Sequence, residues 1–306
     1  MRQDWRCEPV DAVAGTVRVP GDKSISHRAI MLGALAEGTT EVSGFLEGED
    51  CLATMRAFQA MGVEIVHHGA GRVTVHGAGL HGLRAPAAPL DVGNSGTSMR
   101  LLAGVLAGQP FDSVLVGDSS LMKRPMRRVT EPLARMGAEI ATSEAGTAPL
   151  AIHGRPLHGI DYTLPVASAQ LKSALLLAGL FAEGITRVTE PGVSRDHSER
   201  MLRGFGVSVE KVGATLAIRG GQRLSACEVV VPGDVSSAAF FIVAALIARE
   251  GELLLENVGM NPTRAAVVEI LRAMGGDITV LNPREAGGEP VADLRVRASK
   301  LHGIAI

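Results

Sequence analysis

One pattern of apolar and polar positions recurs four times along the chain, roughly every 70 residues. Each copy begins with a run that is apolar nearly all round, passes through a strand-like segment and a turn into an amphipathic helix, and ends in strand-like runs. Helices that are apolar on every side are buried. The pattern therefore predicts βαβαββ units with sheets outside and apolar helices in the middle. The apolar runs end at Gly38, Gly108, Gly184 and Gly251, and the second helices end at Met61-Gly62, Met136-Gly137, Phe205-Gly206 and Met274-Gly275.

The chain has 306 residues, a length typical of about two domains of ~150 residues each. The four copies are distributed unevenly between these two domains. Copies one to three run from about Pro20 to about Val231, and residues 232–234 (Pro-Gly-Asp) form the expected crossing between domains. The fourth copy stands alone, and a single unit does not bury its own apolar face. We therefore expect the second domain to be incomplete, and its first helix to expose apolar side chains at Phe240, Phe241, Ile242 and Leu246.

Composition and charge narrow the class of protein. The formal net charge of −2 argues against binding to nucleic acid or to a membrane surface. The longest apolar run, residues 238–248, is too short for a bilayer, which needs ~20 residues. Residues 1–11 carry three acidic side chains and no apolar segment, so they do not resemble a signal peptide. These features predict a cytoplasmic protein.

The cysteines and histidines give no sign of a disulfide framework or a metal site. Cys7, Cys51 and Cys227 are far apart, and an odd number of cysteines argues against a disulfide scaffold. The histidines include the pair His67-His68, but no spaced set of His, Cys and Asp matches a metal site. We therefore predict no bound metal.

The stretch from Gly21 to Arg28 has the features of an anion-binding site. It follows a strand-like run at residues 16–19 and opens the first apolar helix. Free backbone N–H groups and the positive end of the helix dipole favour an anion there. Lys23 adds a point charge and Arg28 a planar fork that fits a carboxylate or phosphate. The alternative is an ordinary surface N-cap, and the glycine spacing excludes a Walker A loop.

Equivalent positions in the other copies also place polar residues just before a buried helix. Gly93 and Gly96 flank this position in the second copy, where glycines let a ligand approach the backbone closely. Ordinary capping by Ser or Asn is the alternative at each position, and it is the preferred interpretation for the fourth copy. Cations at the starts of two second helices, Arg124 and Arg195, favour a shared anionic ligand. The four equivalent positions are Ser24, Asn94, Gln170 and Ser237.

Taken together, these motifs resemble the enolpyruvyl transferase family, and within it the branch that acts on shikimate 3-phosphate. The resemblance extends over the whole chain in order, and the Ser-Ala-Gln and Ser-Arg-Asp-His forms resemble the second class of that branch. The motifs are residues 21–28, 94–97, 121–126 (Leu-Met-Lys-Arg-Pro-Met), 168–170 (Ser-Ala-Gln), 172–174, 194–197 (Ser-Arg-Asp-His) and 261–264 (Asn-Pro-Thr-Arg).

The resemblance implies an inside-out α/β barrel fold built of βαβαββ repeats. Three repeats would form a shikimate-3-phosphate-binding domain at residues 20–233. Residues 1–19 and 234–306 would form a partial second domain with one of three expected repeats. The implied reaction transfers the enolpyruvyl group of phosphoenolpyruvate to the 5-hydroxyl of shikimate 3-phosphate, a step of aromatic amino-acid biosynthesis. No metal or organic cofactor is implied. The protein would be monomeric when complete, and glyphosate would bind in the phosphoenolpyruvate pocket.

The resemblance also assigns roles to individual residues. Lys23 is the catalytic residue that would touch both substrates and neutralise charge in the tetrahedral intermediate, and Gln170 would reach both ligands. Ala169 departs from relatives with serine there, which removes one hydroxyl contact. The shikimate ring and its carboxylate would be held by Ser24 and Arg28, the phosphoenolpyruvate side by Asn94, Gly96 and Arg124, and the shikimate phosphate by Ser168, Ala169, Ser194 and Arg195.

Two alternatives stay open at this point. The family's acidic residues and further arginines would lie beyond Ile306, so the chain is expected to be inactive or very weak by itself, or to be a substrate-binding fragment without catalysis. The other alternative is a UDP-N-acetylglucosamine enolpyruvyl transferase. That enzyme uses a Lys-Asn pair where this chain has Lys23-Ser24, and a loop cysteine that residues 114–125 lack.

Overall fold

A computed structural model describes residues 4, 6 and 8–305. The chain divides into two compact units. One unit holds the described residues up to Asp22 together with those from Pro232 onward, and the other holds Lys23–Val231. The longer unit carries every residue to which the sequence assigns a role in binding or catalysis. The ligand-binding role of that unit stays a prediction.

The described residues contain helices and strands in alternation, which confirms the predicted α/β class. A short 3-10 helix, Leu121–Lys123, precedes the fourth α-helix. The α-helices are α1 (Lys23–Leu35), α2 (Glu49–Ala60), α3 (Gly96–Ala107), α4 (Arg127–Arg135), α5 (Ala169–Gly179), α6 (His197–Gly204), α7 (Val235–Ile247) and α8 (Ala266–Ala273).

Most of the strands are short. The first half of the chain contains β1 (Gly15–Val17), β2 (Glu37–Ser43), β3 (Glu64–Gly69), β4 (Arg72–Ala78), β5 (Leu90–Asp91), β6 (Asp112–Val116), β7 (Glu139–Ala141) and β8 (Leu150–His153). The second half contains β9 (Leu157–His158), β10 (Asp161–Thr163), β11 (Ala182–Glu183), β12 (Ile185–Thr189), β13 (Val209–Val212), β14 (Thr215–Arg219), β15 (Glu228–Val230), β16 (Glu252–Gly259), β17 (Asp277–Ala286) and β18 (Glu289–Arg297).

Three four-stranded sheets of the longer unit share one topology. Their strand orders are β15-β2-β4-β3, β5-β6-β8-β7 and β10-β12-β14-β13. In each sheet the first pair is parallel and the other two pairs are antiparallel. Because parallel neighbours need a crossover connection, a helix lies between the first and second strand of the second and third sheets. This arrangement follows the sequence pattern, while closure into an inside-out barrel stays a prediction.

The first of these sheets takes its parallel strand from the far end of the unit. The strand that precedes α1 in the chain, β1, pairs instead with β16 in the shorter unit. Strand β15, at residues 228–230, occupies the equivalent place beside β2. The strand expected at residues 16–19 therefore exists, but it ends at Val17 and does not belong to the sheet that its helix packs against.

The first helices of the longer unit form its core. In α1 every residue from Ile25 to Leu35 is buried, and α3 and α5 are nearly as completely covered. Helices α3 and α5 approach so closely that a Cβ at Gly104 would lie 2.3 Å from the carbonyl oxygen of Ala174. Fully burying each Leu or Ile side chain stabilises the fold by about 1.5–3 kcal/mol. The apolar runs thus dictate a helical centre, as their sequence predicts.

The ends of the helices follow the predicted glycines with a small offset. The second helices end one residue before the predicted Met or Phe, and the glycine after it adopts a left-handed backbone conformation, with φ of 83–94° at Gly62, Gly137, Gly206 and Gly275. Such a residue closes a helix because glycine has no Cβ to clash. Three of the four first helices end several residues before their predicted glycine, as at Leu35 before Gly38; only α3 has its glycine, Gly108, as the C-cap.

The shorter unit contains one sheet, in the order β1-β16-β18-β17, with α7 and α8. The expectation that the first helix of this unit exposes its apolar residues is wrong for two of the four. Ile242 and Leu246 are fully buried in the cluster formed with the sheet, whereas Phe240 is 79% exposed and Phe241 39%. The helix is apolar all round, so packing one side on the sheet leaves the opposite side uncovered.

Candidate active site

The predicted site residues gather around the starts of α1, α3 and α5. Ser95 caps α3 by accepting a hydrogen bond from the N–H of Ser98 at 3.1 Å, and Ser168 caps α5 through the N–H of Leu171 at 3.4 Å. The other N–H groups of each first turn are directed away from the helix. In the second and third copies the caps are thus serines beside the equivalent positions Asn94 and Gln170, and capping leaves backbone donors for an anion. In the fourth copy α7 is capped as preferred, but by Asp234, which accepts from the N–H of Ser236 at 2.9 Å, and not by a Ser or Asn.

The start of α1 meets the segment before α6 in the third copy. The guanidinium of Arg195 donates to the hydroxyl of Ser24 at 3.3 Å, although the two residues are 171 positions apart. Ala169, predicted in the same group, begins α5 and is 9% exposed. This contact brings together the two predicted ligands of the shikimate ring and its phosphate. A cation and a hydroxyl beside helix N-termini suit a phosphate group.

Arg28 lies deeper than its predicted role suggests. Its residue is 5% exposed, and the guanidinium donates to the hydroxyls of Ser198 at 2.6 Å and Ser173 at 2.8 Å, and to the carbonyl oxygen of Ser24 at 2.8 Å. These hydrogen bonds connect α1 to α5 and α6. The sequence did not predict this structural task. The assignment of Arg28 to the shikimate carboxylate stays a prediction.

The predicted phosphoenolpyruvate side forms a second group around the start of α3. Arg124 donates to the side-chain oxygen of Asn94 at 2.7 Å, and the Asn94 amide donates to Asp118 at 2.7 Å. A Cβ built on Gly96 would lie 2.7 Å from Nη1 of Arg100 and 3.2 Å from Nη1 of Arg124. Because glycine has no Cβ, Gly96 leaves room for the guanidinium groups of Arg100 and Arg124.

Arg100 is a candidate functional residue that the sequence analysis missed. Its pKa is lowered by burial and by the nearby charges of Arg124 and Arg128. An anion that binds beside partly buried cations stabilises their charged forms, which burial and mutual repulsion disfavour. The available signal was its position four residues after Gly96, since residues i and i+4 share one face of a helix.

Gln170 connects α5 to this cationic group. Its side-chain oxygen accepts from Arg100 at 2.9 Å, and its amide donates to the hydroxyl of Thr97 at 3.0 Å. Both contacts lie on α3, so the amide orientation is fixed from two sides. The predicted reach of Gln170 to two ligands stays a prediction.

Lys23 forms an ion pair that the sequence analysis did not predict. Its ammonium contacts the carboxylate of Asp50 at the start of α2, while 47% of the lysine side chain stays exposed. An acidic residue in a first helical turn is common because it complements the helix dipole, which is why Asp50 carried no functional signal. An incoming phosphate would compete with Asp50 for the ammonium group.

Ser194 lies at the edge of the site, beside a carboxylate. Its hydroxyl donates to Glu190, which is also bound by the buried ammonium of Lys172. The hydrogen bond to Glu190 therefore fixes the position of the Ser194 hydroxyl before any ligand binds.

A buried hydrogen-bond chain links helices α1, α2 and α3. Nδ1 of His27 on α1 lies 2.7 Å from the hydroxyl of Thr54 on α2, which lies 2.6 Å from that of Ser98 on α3. Burial, with the nearby charges of Arg28 and Lys23, lowers the pKa of His27 to about 3. The imidazole is therefore neutral at pH 7, so it adds no charge to the site.

Among the described residues, no three or more His, Cys, Asp and Glu side chains are grouped so that they could hold a metal ion. Within the same part of the chain, each helix is too short or too polar to cross a membrane.

Comparison with known proteins identifies the family. The sequence matches the EPSP synthase (3-phosphoshikimate 1-carboxyvinyltransferase) family over residues 7–306. A 3-phosphoshikimate 1-carboxyvinyltransferase of Alkalilimnicola ehrlichii is 65% identical over 304 residues, which are 99% of this chain and 68% of the relative. The corresponding protein of Halorhodospira halophila is 66% identical over 305 residues, 99% of this chain and 69% of the relative.

A solved structure shares the fold. EPSP synthase from Acinetobacter baumannii matches with a TM-score of 0.91 and 58% identity, covering 95% of this chain and 66% of that one. The chain thus spans about two-thirds of the length of the relatives that it matches. High identity over nearly the whole chain confirms, within the enolpyruvyl transferases, the branch that acts on shikimate 3-phosphate over the UDP-N-acetylglucosamine alternative. The chain belongs to the EPSP synthase family, the 3-phosphoshikimate 1-carboxyvinyltransferases.

Proposed function

We propose that the unit Lys23–Val231 binds shikimate 3-phosphate and presents it to phosphoenolpyruvate for enolpyruvyl transfer. In this reaction the 5-hydroxyl gives up its proton as its oxygen bonds to the enol carbon of phosphoenolpyruvate, and the methylene gains a proton. The carbon–oxygen bond to phosphate then breaks, phosphate leaves, and loss of a methyl proton restores the double bond. Both substrates carry phosphate and carboxylate groups, so the binding surface needs several convergent donors and cations.

The contact between Arg195 and Ser24 carries the proposal. It joins two helix starts that are distant in sequence, and it directs a guanidinium toward Ser24 at 3.3 Å. Ser168 and Ala169, at the start of α5, add backbone donors. We assign this group, with Ser194, to the phosphate of shikimate 3-phosphate. Arg28 and Ser24 are assigned to the ring and its carboxylate.

The second cationic group is assigned to phosphoenolpyruvate. Arg124 and Arg100 both reach the space beside Gly96, and Asn94 and Gln170 fix their orientations. A bidentate contact between a guanidinium and a phosphate or carboxylate is among the stronger protein–ligand interactions. We add Arg100 to the residues predicted from the sequence because it contacts Gln170 and lies beside Gly96.

Lys23 is assigned to charge neutralisation. Its ammonium lies at the start of α1, held by Asp50, and its exposure leaves it accessible to a ligand. As the tetrahedral intermediate forms, an ammonium beside the bridging oxygen or the phosphate stabilises the charge that develops there. Lys23 would then exchange its partner Asp50 for the substrate.

Titration calorimetry with shikimate 3-phosphate tests the assignment. We expect Arg195→Ala to weaken binding by about 10- to 100-fold, because a hydrogen bond to a charged group contributes ~1.5–3 kcal/mol. Arg187→Ala is the matched control, since Arg187 is a half-exposed arginine of the same unit that pairs with Asp161. Equal affinities of the Arg195 variant and the unaltered chain would show that Arg195 does not bind the phosphate.

A further inference from the structure

A buried ion cluster contacts Ser194, one of the predicted phosphate ligands. The ammonium of Lys172 on α5 lies 2.8 Å from Glu190 Oε2 and 2.9 Å from Glu199 Oε1. The side chains are 1%, 12% and 3% exposed, respectively. None of the three was predicted as a site residue. Burying charged groups is costly, so a cluster of this kind calls for a physical reason beyond packing.

The cluster reaches the ligand site through Ser194. The hydroxyl of Ser194 donates its proton to Oε1 of Glu190, while Lys172 holds Oε2 of the same carboxylate. A hydroxyl has a single proton to donate. Glu190 therefore competes with a bound phosphate for the proton of Ser194, and any phosphate that contacts Ser194 lies close to the Glu190 carboxylate.

The charges of the cluster do not cancel. With one cation and two carboxylates its formal charge is −1, and Oε2 of Glu199 has no hydrogen-bond partner among the described residues. Without Lys172 the formal charge would become −2. Repulsion in a partly buried site is far less screened than in water, so this change would be felt by a phosphate dianion but hardly by an uncharged hydroxyl.

We propose that Lys172 is a positioning residue for phosphate recognition, because it cancels carboxylate charge beneath Ser194 and weakens the hold of Glu190 on the Ser194 hydroxyl. The proposal rests on the proposed function and deepens it by naming what makes the site selective for the phosphorylated substrate. Lys172 does not touch the ligand. It acts through Glu190, and the cluster makes the free energy of binding depend on the charge of the phosphate.

The experiment compares two ligands that differ only in the phosphate, shikimate 3-phosphate and shikimate. Affinities for the full chain are measured by calorimetry and ligand-observed NMR, and the readout is the ratio of the two dissociation constants. We expect K172M to lower the preference for the phosphorylated ligand by about 10- to 100-fold, with shikimate affinity changed less than about threefold. Loss of α5 packing alone would weaken both ligands together.

Charge-compensating variants separate electrostatics from folding. E190Q keeps an oxygen that can accept from Ser194 and removes one negative charge, so the preference should be unchanged or higher. K172M/E190Q has the same formal cluster charge as the unaltered chain, so the preference should return to within about threefold of it. Glu210→Gln is the control for charge loss, because Glu210 is exposed on β13. If K172M fails to fold, E190Q and the double variant still decide the question.

The outcomes that overturn the proposal are distinct from a failure of the proposed function. If the unaltered chain binds shikimate 3-phosphate no better than shikimate, the proposed function fails. If the unaltered chain prefers the phosphorylated ligand but K172M keeps that preference, or weakens both ligands equally, the role of Lys172 is wrong. A lower preference in E190Q, or no recovery in the double variant, would also overturn it.

Discussion

A single methyl group at Gly96 would disturb the candidate site. A Cβ there would lie 2.7 Å from Arg100 and 3.2 Å from Arg124, and in both cases the atom it meets is a guanidinium nitrogen. Contacts shorter than about 3 Å force one group to move, and the ends of arginine side chains move most easily. The backbone of α3 would therefore stay in place while the two guanidinium groups shift.

We expect Gly96→Ala to weaken phosphoenolpyruvate binding by about tenfold or more, since each displaced charge-assisted contact contributes ~1.5–3 kcal/mol. Affinity for shikimate 3-phosphate should change little, because its assigned ligands lie on α1, α5 and the segment before α6. Calorimetry with each ligand measures both effects. Gly204→Ala is the control, because a Cβ there meets nothing within 4 Å. An unchanged phosphoenolpyruvate affinity would remove Gly96 from the site.

At the residue scale the sequence predicts cations better than it predicts their partners. Lys23, Arg124 and Arg195 stand out because they lie at helix starts against the dipole preference. Asp50 and Arg100 do not stand out, because each occupies a helical position where its residue type is ordinary. Which side chains meet depends on how helices distant in sequence pack, and no local pattern specifies that.

At the scale of elements, three helices depend on one neutral imidazole. His27 is buried, and its Nδ1 joins the hydroxyl chain that connects α1, α2 and α3. Burial opposes the charged form of histidine, and the positive neighbours Arg28 and Lys23 oppose it further. Protonation of this group is therefore linked to loss of the helical packing that positions the site.

We expect the free energy of unfolding to fall as the pH is lowered from 6.5 towards 3. In that window the unfolded chain binds a proton at His27, whose ordinary pKa is 6.5, while the folded chain, with a pKa of about 3, does not. The contribution of this group is at most about 1.4 kcal/mol per pH unit. Urea unfolding at several pH values should give a shallower slope for His27→Gln than for the unaltered chain.

The matched control is His68→Gln, which changes an exposed histidine of β3 that is hydrogen-bonded to the hydroxyl of Thr74. Its pH slope should follow that of the unaltered chain. Parallel slopes for the His27 variant and the unaltered chain would show that His27 does not resist protonation. The sequence marks His27 only as part of an anion-binding motif, and its burial follows from packing with α2 and α3.

At the scale of the whole molecule, the repeat was visible in the sequence because each unit needs the same features. A buried helix needs an apolar run, and its partner helix needs a left-handed residue at its end, as Gly62 and Gly137 provide. The sequence did not indicate that β15, and not β1, pairs with β2. Both segments have ordinary strand composition, and the sheet that each one joins depends on which edge strand is left unpaired when the chain packs.

The shorter unit leaves a continuous apolar stripe on α7. Phe240, Val243 and Ile247 lie three and four residues apart, so they share one face, and they are 79%, 38% and 67% exposed. Contiguous exposed apolar surface favours association in water. We expect the chain to self-associate at micromolar concentration, measured by sedimentation velocity.

Phe240→Glu combined with Ile247→Lys should shift that association to a higher concentration, because it interrupts the stripe without changing the net charge. Val212→Glu is the control, since Val212 is 78% exposed on β13 of the other unit and has no place on the stripe. A double variant that associates as strongly as the unaltered chain would show that α7 does not mediate association.

The position of β15 has a consequence for how the protein is made. Strand β2 is synthesised early, but the strand that completes its sheet, β15, leaves the ribosome only when residues 228–230 have been translated. Synthesis at ~5–20 residues per second therefore leaves one edge of β2 unpaired for about ten seconds or more. An unpaired strand edge is a template for wrong pairing. Among the three repeats of the longer unit, the one that is translated first is thus the last whose sheet is completed.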